Sequence, residues 1–149
     1  MITLRMTNDV KPESPASLLA EFHEWAYTEG YGEGTYDPSL RINLHIEENK
    51  ELIDALSDDA VSSVIYLTAV LKELADVVYV AYGTAHSLGL PLDAAIQLIH
   101  GSNMSKADEN GRAILRSDGK VLKGPNYQPP ESAVRRLVAA ELARRENES

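Results

Sequence analysis

Hydrophobic residues recur at helical spacing through most of the chain. In "SPASLLAEFHEWAYTE", Leu18, Leu19, Phe22, Trp25 and Ala26 share one face, with Ser14 placed to cap and Pro15 suited to the first turn. "GYGEGTYDP" breaks the pattern with three glycines and an Asp-Pro pair, and reads as a loop. A second helix is predicted over 39–56, with Ile42, Leu44, Ile46, Leu52, Ile53 and Leu56 as core candidates. The third, over 59–87, keeps a helical period through Leu67, Val70, Leu71, Leu74, Val77, Val78 and Ala81. Gly89 fits its end, and Pro91 fits the start of a fourth helix over 91–107, striped by Leu92, Ala95, Ile96 and Ile99. "GRAILRSDGKVLKG" then offers two strand-like arms, 112–116 and 120–123, around Asp118-Gly119, a hairpin signal. A last helix over 131–145 should bury Val134, Leu137, Val138 and Leu142. The pattern predicts a nearly all-α protein in one domain over 1–149, with one short C-terminal β-hairpin and a terminal helix. Residues 1–13 read as a flexible lead-in, and 108–130 as hairpin and extended loop.

Two acidic pairs interrupt the apolar pattern. Glu48 and Glu51 are three apart, so on a helix they point to one side, and Glu73 and Asp76 repeat the spacing. Glu73 falls at the edge of the third helix's stripe, beside Val70 and Val77. Asp76 lies about 60° further round, flanked by Ala69, Val80 and Gly83. Lys72, Glu73 and Asp76 are the only charges between residues 60 and 85. They count against a membrane span over the apolar stretch 60–82, because each is costly in lipid.

A buried carboxylate without a partner costs several kcal/mol, so a lysine or arginine, a shared proton or a metal should compensate it. Oxygen-only ligands suit a hard divalent ion, Mg²⁺, with Mn²⁺ as the alternative. For any single acid a solvated face is the commoner arrangement, and Glu47, Glu48 and Glu51 relieved by Lys50 would be one. The apolar setting of Glu73 and Asp76 favours the metal for the two pairs together.

Composition narrows the function. At 149 residues, 44% hydrophobic and 25% charged, the chain is long enough to bury a core. A net charge of -9 counts against non-specific nucleic-acid binding. It leaves a small anionic substrate open, since a bound divalent ion inverts the local field. The absence of cysteine excludes disulfides, thiolate metal sites and cysteine nucleophiles. The first residues lack the apolar segment of a secretory signal, so a cytoplasmic protein without a membrane partner is expected. Along the fourth helix the apolar line continues into Asn103 and Lys106, an amide and an ammonium suited to a phosphate. A helix end with Lys106 favoured by the dipole is the other reading. Lys120 and Lys123, then Asn126 and Tyr127, suggest a basic lid over an anionic substrate, or a dimer element.

"EENKEL" followed by "ELAD", then "NMSK" and "DGKVLKGPNYQPP", resembles the MazG-like all-α nucleoside triphosphate pyrophosphohydrolases over residues 22–130. That superfamily includes phosphoribosyl-ATP pyrophosphohydrolase and the dimeric all-α dUTPases. Its E-x-x-E, spacer, E-x-x-D pattern falls here on Glu48, Glu51, Glu73 and Asp76, which the resemblance makes Mg²⁺ ligands. The resemblance implies a four-helix-type bundle, assembled as a homodimer or dimer of dimers. It also implies hydrolysis of a nucleoside triphosphate between the α- and β-phosphates. Catalytic roles would fall to Glu48 and to Glu47, the latter as base or outer ligand. Asn103, Lys106, Lys123, Asn126 and Tyr127 would contact substrate, and Trp25, with Phe22 and Tyr36, could stack on a base. His23 and His45 read as packing or surface residues. The short single-copy chain makes dUTP or another pyrimidine deoxynucleotide the first expectation. Phosphoribosyl-ATP is the alternative, and a non-catalytic nucleotide-binding dimer a third reading.

Overall fold

The computed structural model describes residues 13–26, 36–58 and 63–149, which carry five α-helices and no sheet. These are α1 (Pro15–Ala26), α2 (Pro38–Leu56), α3 (Val64–Leu88), α4 (Leu92–Met104) and α5 (Glu131–Glu148). The expected lead-in up to residue 12, part of the first loop and the start of the third predicted helix lie outside the described residues. The chain divides into two compact units, Met1–Ser87 and Leu88–Ser149.

Local chemistry sets the helix ends of the first unit. Ser14 Oγ accepts from the Ser17 amide at 3.2 Å, and Pro15 opens α1. Asp37 caps α2 by accepting from the Ser39 and Leu40 amides, with Pro38 in the first turn. Leu19 of α1 is the most deeply buried apolar side chain, 2% exposed, and it lies against Gly83 of α3. A Cβ at Gly83 would stand 3.1 Å from Arg41 Nη1 and 3.3 Å from His23 Nε2, so the glycine lets α1 and α2 approach α3. Phe22 meets Tyr79 edge-on, and His45 Nε2 lies 3.0 Å from Thr84 Oγ1.

The expected core is only partly buried. Ile42, Ile46, Ile53 and Leu56 on α2 are exposed, as are Leu67, Leu71, Leu74 and Val78 on α3. Both sets are spaced 4-3-4 or 4-7-3, so each forms a continuous seam along its helix. Periodicity identifies an apolar face but not which surface covers it. The same correction applies to Leu18, Phe22 and Trp25 on α1, to Ile96 and Ile99 on α4, and to Leu142 on α5. Leu44, Leu52, Val70, Val77, Ala81, Val134, Leu137 and Val138 are half-buried.

In the second unit, Gly89 closes α3 at φ 63°. Arg145 of α5 donates to the carbonyls of Leu88 and Gly89 there, and α4 packs on α5. α4 stops at Met104, short of the predicted residue 107. Ser105 Oγ donates to Ser102 O at 2.6 Å and accepts from the Gln128 amide at 2.8 Å, while Ser102 Oγ donates to Gln128 O at 2.7 Å. These bonds divert the chain from the helical ladder, so Lys106 is not on α4.

The predicted β-hairpin is not formed. Its arms make one isolated antiparallel bridge, Leu115 to Val121, around a turn with Gly119 at φ 86°. Leu115 is 62% exposed and Val121 41%, so no apolar face supports a longer ladder, and a lone two-stranded ribbon is marginal in water. Among the described residues, no helix is long and apolar enough to cross a membrane.

Candidate active site

α2 and α3 bring Glu48, Glu73 and Asp76 together. One carboxylate oxygen from each lies within 4.8 Å of the others, and all three residues are half-buried. The i,i+3 spacing on α3 puts Glu73 and Asp76 on one side of that helix, facing Glu48 of α2. The Glu73 side chain is only 13% exposed. The sequence spacing suggested two converging pairs; three of the four acids meet here, and Glu51 is not among them.

The other acids stand apart from this trio. Glu51 is exposed and enters through Lys72, whose Nζ lies 3.9 Å from Glu51 Oε2. Glu47 is exposed on α2. Lys72 is a partner that the sequence reading did not name, since it offered a lysine or arginine only in general and Lys50 in particular. Its Nζ donates to Glu73 Oε1 and Oε2 at 3.0 Å each and to Asp76 Oδ2 at 2.9 Å. The i,i+4 spacing from Lys72 to Asp76 was a signal for this pair.

Electrostatics follow from the crowding. Burial raises the Glu48 carboxyl above the ordinary value, and the charges of Asp76, Glu51 and Glu47 raise it further, with Lys72 opposing. Ionised Glu48 therefore weighs against the metal-free fold. That cost grows as pH rises from the ordinary carboxylate value through the raised one, and is absent below both. Lys72 is held protonated by its hydrogen bonds to Asp76 and Glu73.

The donor set is all carboxylate oxygen, and the chain has no cysteine to compete. Such a set fits a hard divalent cation. Glu48, Glu73 and Asp76 would hold it, with Glu51 adjacent.

Further along the same two helices lies a different group. Arg41, 7% exposed, reaches Gly83, and the His23 and His86 rings sit 4.6 Å apart, centre to centre. Burial, then the charges of His86 and Arg41, lower His23 to about 4, so it is neutral at pH 7. His23 packs against His86, and His45 lies within hydrogen-bond distance of Thr84; both are half-buried. Trp25 is 73% exposed and rests against Phe22.

Within the second unit, Lys106 Nζ donates to Asn103 Oδ1 at 2.7 Å, so the predicted pair is in contact. Lys123 Nζ lies 4.6 Å above the Tyr127 ring, a cation–π contact, and Asn126 is exposed beside it.

A sequence profile of the family described as phosphoribosyl-ATP pyrophosphohydrolase matches residues 18–103, a span that holds all four paired acids. With the all-α fold and the carboxylate cluster, this defines a hydrolase of the pyrophosphohydrolase type. The chain belongs to the phosphoribosyl-ATP pyrophosphohydrolase family. A crystal structure from Exiguobacterium sp. 255-15, provisionally named an NTP pyrophosphohydrolase, is similar with a TM-score of 0.49 and 22% identity. The match covers 89% of this chain and 79% of that one. No curated protein matches the chain.

Proposed function

We propose that the protein hydrolyses a nucleoside triphosphate between the α- and β-phosphates, releasing the monophosphate and pyrophosphate. The observation that carries this reading is the gathering of Glu48, Glu73 and Asp76 from two helices. Glu48, Glu73 and Asp76, with Glu51 as the fourth acid of the motif, would hold Mg²⁺, or Mn²⁺ in its place. The ion, when bound, neutralises phosphate charge and orients the attacking water. Glu47, exposed on α2 one residue before Glu48, is the candidate base for an attacking water, or an outer ligand. Asn103 and Lys106, already hydrogen-bonded to each other, form a ready pair for a phosphate oxygen or sugar hydroxyl. Lys123, Asn126 and Tyr127 add contacts from the following loop, and Trp25 offers an exposed ring for base stacking.

dUTP or another pyrimidine deoxynucleotide is the first substrate to test. Phosphoribosyl-ATP is the second reading, and the family match is equally consistent with it. A panel of nucleoside triphosphates and phosphoribosyl-ATP, assayed for pyrophosphate release, separates them. We expect release from at least one member with Mg²⁺ and none with EDTA. No release from any member would leave the protein a non-catalytic nucleotide binder.

The exposed seams of α2 and α3 favour a homodimer, or a dimer of dimers, in which a second copy covers Ile46, Ile53, Leu67 and Leu71. Light scattering should then give at least twice 16.3 kDa. Leu71→Glu, at a position 70% exposed in the single chain, should reduce the mass to that of one copy. An unchanged mass would place the interface elsewhere.

A further inference from the structure

Lys72 has no assigned part in the reading above, yet its position is specific. The ammonium lies against two of the three clustered carboxylates and within 3.9 Å of Glu51, the fourth acid of the paired motif. It makes three hydrogen bonds, two to Glu73 and one to Asp76. Those atoms are candidate ligand oxygens for a divalent ion. A carboxylate oxygen that faces an ammonium at 2.9 Å cannot turn the same lone pair to a metal at the 2.0–2.1 Å that Mg²⁺ demands. The ammonium also carries one charge where Glu48, Glu51, Glu73 and Asp76 present four, so it compensates the cluster only in part.

We infer that Lys72 is the resident counter-cation of the acidic cluster, that a divalent ion must displace it, and that the released ammonium then meets a substrate phosphate. The inference rests on the metal reading of the cluster. The Lys72 side chain is 61% exposed, so displacement moves it into open space without disturbing packing. Its flexible four-carbon stem lets the ammonium travel several ångströms while Glu73 and Asp76 stay in place. Besides Glu51, phosphate oxygens bound at the cluster would lie within its reach. The role differs from that of the acids: Lys72 weakens metal binding in the free protein and strengthens substrate binding in the loaded one.

The test is calorimetric titration of Mn²⁺ into the full-length protein without nucleotide, with substrate kinetics at saturating Mg²⁺ as the second readout. Lys72→Met keeps the length of the stem and removes the charge. It should bind Mn²⁺ about tenfold more tightly than wild type, the scale of removing one adjacent like charge from a partly solvated site. Its KM should rise by about the same factor, with kcat less affected, as expected for loss of a charged contact to substrate. Lys72→Arg, which keeps the charge, should retain wild-type Mn²⁺ affinity and guards against a folding defect in Lys72→Met. Unchanged or weaker Mn²⁺ binding by Lys72→Met would overturn the competition, and an unchanged KM would overturn the substrate contact. If wild type itself takes up no Mn²⁺, the metal reading fails rather than the assignment of Lys72.

Discussion

Asp76→Asn should lower turnover by about a thousandfold or more, since a catalytic divalent ion stabilises transition-state charge by several kcal/mol and about 1.4 kcal/mol is a factor of ten. Asp76 lies in the three-carboxylate cluster and also accepts from Lys72. Asparagine preserves the shape and one oxygen but removes the charge. The metal-free fold should tolerate it, because repulsion of Glu48 by Asp76 is relieved while one exposed ion pair is lost. The loss should appear instead in metal-dependent stability. A ligand at a hundred times its Kd stabilises the native state by about 2.7 kcal/mol. Wild type should therefore melt higher in Mg²⁺, and Asp76→Asn should not. Glu73→Gln should behave alike. Wild-type turnover in either variant would show that these acids do not hold the catalytic ion.

Gly124→Ala should destabilise the protein by about 3 kcal/mol, at the upper end of overpacking costs. A Cβ at Gly124 would fall 2.1 Å from Ala107 O and 2.7 Å from Lys106 O. Both are backbone atoms, so no side-chain rotation relieves the contact. Either the segment after α4 or the 124–128 loop must move. That loop is held by the two serine bonds to Gln128, and shifting it strains them. For a chain of this size the cost corresponds to a melting temperature about 6–12 °C lower, readable by circular dichroism. Lys106, Asn126 and Tyr127 all lie on the two displaced segments, so KM should rise with the loss of stability. A melting temperature within about 2 °C of wild type would contradict the contact, since that shift is under 1 kcal/mol.

The two variants sit at opposite ends of what could be read from sequence. Asp76 was legible because period and charge conflict there: an acid at i,i+3 from another acid, in an apolar helix, needs a reason. Gly124 was not, because its constraint is a close approach of two backbone segments, and such an approach leaves no local signature. Lys72 lies between these cases. Its spacing to Asp76 was readable, but its hold on Glu73 and its reach toward Glu51 depend on rotamers and on how α2 lies beside α3.

Helix existence was set by the sequence itself. Period, caps such as Ser14 and Asp37, and the stop at Gly89 are local, and each acts within one or two turns. The hairpin was misjudged because a turn signal without a supporting face does not make a sheet, and α4 ended early because two serines bonded elsewhere. Burial was the least legible property. Leu67 and Leu71 read as core by spacing and are exposed in the single chain, because a hydrophobic stripe specifies that a face be covered, not by what. Sequence alone determined that five helices form and roughly where, and that Glu73 and Asp76 share a face. Tertiary structure alone decided that Glu48 meets Glu73 and Asp76, and that an ammonium shares their oxygens, since those distances depend on the packing of separate helices.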